Sequence, residues 1–165
     1  MKHSGCFSRQ KNVAMATVTN KWGYRVNTTK GKKSMTLGEA QDAGLHVLDA
    51  FFPTHCAKSL LRPINPVDKP VGMKFEIVPL EDPFRAALGA HIPIMLLFDG
   101  KPLAGTSIFT ANGQEAETDE NGITRFRKSE NERQLIYSRY RIAVENREDL
   151  NYLVFITFLT IEANR

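Results

Sequence analysis

The chain has 165 residues, 42% of them hydrophobic and 24% charged, with 11 Gly, 8 Pro and 2 Cys. Those proportions exclude collagen-like, disulfide-framework and wholly disordered chains, and the length suits one domain with a core of its own. The formal charge of +4 is unevenly spread: residues 1–38 hold eight basic and no acidic side chains, and residues 39–165 hold 14 basic and 18 acidic.

From the N-terminus, no apolar stretch has the form of a secretory leader, and no window reaches the roughly 18 consecutive apolar residues of a membrane span. VAMATVTNKWGYRV, residues 13–26, is rich in β-branched and aromatic residues and predicts two short strands or a hairpin. A basic connection, TTKGKKSM, leads to Thr36, which has capping-box spacing to Glu39 and opens a short helix that Gly44 ends. LHVLDAFF is a candidate strand that Pro53 is expected to break.

Residues 62–72, RPINPVDKPVG, hold three prolines and read as a linker. It divides an N-terminal strand–helix–strand segment, 1–61, from a β-sandwich over 73–165. Within the second part, β-rich runs are separated by Asp99-Gly100, Asn112-Gly113 and Asn121-Gly122, the pattern of an antiparallel sandwich. HIPIMLLF and YLVFITFLTI carry apolar residues on both faces, as central strands do. LIYSRYRIAV alternates, with Tyr137, Arg139 and Arg141 on one face and Ile136, Tyr140 and Ile142 on the other. The expected fold is therefore mainly β, an antiparallel Ig-like or prealbumin-like sandwich preceded by a strand, a short helix and a strand.

Glu117-Thr118-Asp119-Glu120-Asn121-Gly122 resembles the start of a calcium loop, but the twelfth position, where a bidentate Glu belongs, is Lys128. A tight turn explains it with fewer assumptions. His55-Cys56 offers the most concentrated pair of soft metal donors and is the candidate metal site. Neighbours on a strand point to opposite faces, so sharing one metal requires a bulge, which Pro53 makes plausible. The basic–aromatic runs Arg125-Phe126-Arg127-Lys128 and Arg139-Tyr140-Arg141 could stack on single-stranded nucleic acid. They are flanked by Glu130, Glu132, Glu145 and Glu148, and no nucleic-acid partner is expected. There is no Walker loop, G-x-S-x-G, G-x-G-x-x-G or H-E-x-x-H, and no catalytic constellation.

Three phrases, Glu76 to Pro83, Phe98 to Gly105 and Thr118 to Gly122, stand in the order E-I-V-P-L-x-D-P, F-x-G-K-P-L-A-G and T-D-x-x-G. Together with Trp22-Gly23-Tyr24, the Thr28-to-Lys33 connection and Ala57-Lys58, the chain over residues 13–162 resembles a bacterial domain of unknown function often labelled the periplasmic component of cobalt and nickel uptake systems. Cys56 stands where that family usually has an aromatic. Members begin with a signal peptide and a His-bearing mature start, so the resemblance implies that this chain lacks an N-terminal region, and it transfers no metal ligand to a numbered residue. It implies a secreted, non-enzymatic β-sandwich, whose second half is similar to prealbumin-like and carboxypeptidase-regulatory-like modules.

The function expected is a periplasmic or envelope-associated binding or accessory protein linked to nickel or cobalt uptake, with a metal-uptake membrane system as partner. The alternative is a protein- or carbohydrate-interaction module without a metal, using sandwich loops and Trp22, Tyr24, Tyr137 and Arg139 as contacts.

Overall fold

A computed structural model describes residues 6–10, 13–19, 23–61, 68–129 and 133–162. In chain order the first half holds β1 (Cys6–Gln10), β2 (Val13–Thr19), β3 (Arg25–Thr28), β4 (Gly31–Lys33), α1 (Leu37–Asp42) and β5 (Val47–Leu60). The second half holds β6 (Phe75–Pro79), β7 (His91–Phe98), β8 (Lys101–Pro102), β9 (Ser107–Thr110), β10 (Glu115–Glu117), β11 (Ile123–Arg127), β12 (Arg133–Ala143) and β13 (Tyr152–Glu162).

These strands form a β-sandwich. The larger sheet runs β1-β2-β5-β13-β12-β9-β10, with the β3–β4 hairpin also joined to β5; the smaller runs β11-β7-β6, with β8 on β7. The core lies between them. Cys56, Leu60, Ile108, Ile136, Phe155, Leu159 and Ile161 come from the larger sheet, and Phe75, Ile77, Ile92, Ile94, Leu96 and Phe126 from the smaller. The alternation expected of β12 holds: Ile136 and Ser138 are fully buried while Arg139 and Arg141 face water.

The short helix starts as its sequence requires. Glu39 N–H donates to Thr36 Oγ1 at 3.2 Å, and Thr36 N–H donates to Glu39 Oε2 at 2.7 Å. Its buried Ala40 packs with Val26 and Ala50 in a second, smaller cluster.

Two features depart from the sequence expectation. Pro53 does not end its strand; β5 runs unbroken for 14 residues. On one edge β5 pairs first with β3, through Phe51, and then with β2, from Thr54. Pro53 occupies the gap between these partners, where that edge demands no amide hydrogen. The second departure is that β5 and β13 pair in parallel over ten positions, Phe51 with Tyr152 through Leu60 with Ile161. The segment before the Pro-rich stretch therefore shares one sheet with the strands after it.

The family-like phrases are a structural brace. Thr118 Oγ1 donates to Leu103 O at 2.8 Å, and Gly105 N–H donates to Thr118 O at 2.9 Å. Asp119 Oδ1 accepts the N–H groups of Asn121 and Ile123, each at 2.9 Å, so its carboxylate is turned onto the backbone of the turn between β10 and β11. At Gly122 φ is +72°, and a Cβ there would stand 2.9 Å from Leu103 N. The turn reading of this loop holds, and its geometry is that of an Asx turn.

Glu76, from the first phrase, is buried between the sheets. Its carboxylate takes Lys58 Nζ at 2.7 Å and the backbone N–H groups of Val71, Gly72 and Met73 at 2.9–3.2 Å. Lys58 is 3% exposed and Glu76 1%. This pair fixes the segment entering β6 to the C-terminal end of β5.

Candidate functional site

Because β5 is regular at His55 and Cys56, the two side chains leave opposite faces. Cys56 is fully buried in the main core, and burial pushes its thiol above the ordinary range. His55 lies on the outer face of the larger sheet, 6.3 Å ring to ring from Phe158, and partial burial lowers its imidazole pKa. The structure does not bring the pair to one point. Among the described residues no three of His, Cys, Asp or Glu gather where they could hold a metal ion.

Of the expected contacts, Trp22 lies outside the described residues. Tyr24 donates its hydroxyl to Asp149 Oδ2 at 2.7 Å, and Arg147 grips the same carboxylate, with Nε 2.7 Å from Oδ1. The guanidinium and the phenol hold the Asp149 carboxyl at a pKa of about 2. The Tyr24 ring meets Phe52 edge-on at 5.4 Å. Tyr24 thus fastens the β12–β13 connection to the larger sheet.

Tyr137 and Arg139 project from the outer face of β12. Tyr137 stacks on Phe109 at 5.4 Å and meets Phe158 at 6.3 Å, so Phe109, Tyr137, Phe158 and His55 form a row of rings across β9, β12, β13 and β5. All four are half-buried. Arg139 is exposed beside them, opposite Ile156.

Sequence reasoning missed a cavity formed by residues far apart in the chain. At one end of the sandwich, a cavity of about 600 Å³ is lined by Leu88, Gly89, His91, Asn112, Gln114, Arg127, Lys128 and Ser129. A recess of about 120 Å³ adjoins it and shares Asn112 and Ser129. The cavity forms where the two sheets part. Leu88 and Gly89 come from the β6–β7 loop, His91 opens β7, Arg127 closes β11, and Asn112 and Gln114 come from the β9–β10 turn of the other sheet.

Gln114 bridges the gap between the sheets. Its Oε1 accepts Arg127 N–H at 2.7 Å and its Nε2 donates to Arg127 O at 3.1 Å, so one side chain fills the place of a missing neighbouring strand. Gln134 Nε2 adds a second bond to Arg127 O at 3.0 Å. Lys128 Nζ donates to Ala86 O at 2.6 Å, and Gly89 N–H to Lys128 O at 3.0 Å, which ties the β6–β7 loop to the end of β11. The Arg127 guanidinium lies over Gly89, where a Cβ would approach Nη2 to 3.4 Å. Ser129 Oγ is buried without a hydrogen-bond partner among the described residues. The described lining contains cationic and amide side chains and no carboxylate.

With this geometry in place, the family model of a domain of unknown function, DUF4198, matches residues 3–141. The chain belongs to the DUF4198 family. No curated protein and no solved structure matches it. The DUF4198 span takes in every residue lining the cavity but stops inside β12, so β13, at the centre of the larger sheet, falls beyond it. Among the described residues no helix is long and apolar enough to cross a membrane. Membership in DUF4198 assigns no chemistry, which leaves the cavity to be read from its own side chains.

Proposed function

We propose that this DUF4198 chain is a non-enzymatic binding module whose ligand site is the cavity between the loop ends of the two sheets. The observation that supports this is the cavity itself. Its volume of about 600 Å³ lies within the range of small-molecule sites, and its walls are held in place before any ligand arrives. Gln114, from the β9–β10 turn of the larger sheet, bonds the backbone at the end of β11 in the smaller, so the two sheets are joined at the cavity wall. Asn112, Gln114, Arg127 and Lys128 suit a small polar ligand, and exposed Leu88 offers an apolar edge at the rim. Ser129 has no base on its hydroxyl among the described residues, so the lining has the character of a holding site more than a reacting one.

The periplasmic or envelope setting follows from the resemblance carried by the Glu76, Phe98 and Thr118 phrases, and so does a link to nickel or cobalt uptake through a membrane system. A thermal-shift screen of small polar metabolites tests the binding reading. A compound that raises the melting temperature of the wild type and fails to raise that of Leu88→Trp and Asn112→Trp, each of which places a ring at the cavity, supports it. Equal shifts in all three proteins would put the ligand elsewhere and refute it.

A further inference from the structure

The cavity has an asymmetry that its volume does not convey. His91, Arg127 and Lys128 bring all of its described ionisable groups, and all are basic types. Among the described residues the Arg127 guanidinium has no acceptor, as is true of Arg125 and Arg139, whereas Arg133, Arg141 and Arg147 each reach a carboxylate; of these unanswered arginines, Arg127 is the one that lines the cavity. An exposed arginine at a strand end is ordinarily a solvated side chain, free to sweep water. Arg127 differs on two counts. Its backbone N–H and C=O are both clamped by side-chain amides, from Gln114 and Gln134. Its guanidinium lies over Gly89, within 3.4 Å of where a Cβ would stand. The base of the fork is therefore fixed before a ligand arrives, so binding has less of the residue left to order.

A planar guanidinium with this freedom from partners matches the two oxygens of a carboxylate or phosphate. Other donors stand on the same wall. Lys128 Nζ spends one hydrogen on Ala86 O, and Ser129 Oγ, buried with no partner among the described residues, belongs to a residue shared by the cavity and its adjoining recess. Resting on the cavity as the ligand site, we propose that it takes an oxyanion, with Arg127 gripping a carboxylate or phosphate group and Asn112 and Gln114 facing the uncharged remainder of the molecule. Gly89 suits the site through its backbone: at φ +79° a residue with a side chain would be strained.

The test is an amide NMR titration of the full 165-residue chain at low ionic strength, with sodium phosphate, sodium citrate and glucose added separately. Saturable shifts at the Gly89, Lys128 and Ser129 amides on adding phosphate or citrate are expected. Phosphate acting alone marks a phosphate ester as the natural chemistry, and citrate acting alone a polycarboxylate. Arg127→Gln, its fold verified by the dispersion of the same spectrum, should weaken that binding about tenfold or more. Three outcomes overturn the proposal: unchanged anion affinity in Arg127→Gln, anion-induced shifts away from the cavity, or no anion-induced shifts. If glucose alone moves the cavity resonances, the anion is lost and the cavity stands as a ligand site; if the metabolite screen also places its ligand elsewhere, both fall.

Discussion

Replacing Glu76 by Gln should be among the most damaging single changes in the protein, and its cost can be worked from its partners. The carboxylate accepts Lys58 Nζ at 2.7 Å on Oε1 and three consecutive backbone N–H groups, mainly on Oε2. A glutamine has one acceptor and one donor where the site needs two acceptors. Turned one way, its NH₂ faces the Lys58 ammonium; turned the other way, it faces the amides of Val71, Gly72 and Met73. Either way a buried donor confronts a donor, and Lys58, 3% exposed, keeps a positive charge with no counter-charge. Breaking a buried pair in this manner costs about 3–5 kcal/mol, a large part of the roughly 5–15 kcal/mol by which a domain is stable. Lys58→Met should cost less, about 1.5–3 kcal/mol, because the carboxylate retains its backbone donors. The double variant should cost less than the two together, since no lone cation remains. Urea unfolding followed by circular dichroism, with m compared across the set, measures all three. Equal costs for the two single variants, or a Glu76→Gln cost below about 1 kcal/mol, would refute the account of that carboxylate as the centre of the site.

Gly122→Ala should destabilise by about 2 kcal/mol or more, because a positive φ is combined with a Cβ 2.9 Å from Leu103 N; a change in melting temperature within error would contradict that contact. Asp149 has its pKa lowered from 3.8 to about 2 in the folded chain, so the stability it adds is present above pH 3.8 and is lost as pH falls towards 2. Asp149→Asn should therefore lose less stability than wild type over that acid window, and added salt should narrow the difference; parallel acid limbs for the two proteins would remove the clamp from the explanation. Cys56 should resist Ellman's reagent in the native protein and react on unfolding, tested in a Cys6→Ser background, because the thiol is fully buried and burial raises its pKa. Fast native-state labelling would show that the sheets part more readily than this core implies.

The parts legible in sequence are those whose signal is local. The β12 alternation needs only a period of two, the Thr36–Glu39 box only a spacing of three, and the Asn121-Gly122 turn only the dihedrals that glycine permits. Pro53 misled because its local rule is right, whereas the interruption that accommodates it is made by two other strands changing over beside it. The separation of His55 from Cys56 follows from strand geometry once the strand is known to be regular. The cavity had no local signature. Gln114 matters because its amide meets the backbone of Arg127, thirteen positions away and in the other sheet, and neither residue type nor spacing announces such a contact.

The parallel union of β5 with β13 also bears on how the chain is made. A ribosome delivers β5 long before Tyr152, and until the last strand emerges one side of a 14-residue strand has no ladder to join. Non-local parallel pairing is slow, and an open, long edge invites other chains to add to it. A nascent chain therefore spends most of its synthesis with its central seam unsealed, and a holding chaperone would have a defined stretch to shield. The same reasoning applies at the laboratory bench: a fragment trimmed at residue 141, where the DUF4198 match ends, would leave that seam open permanently and should aggregate where the whole chain does not.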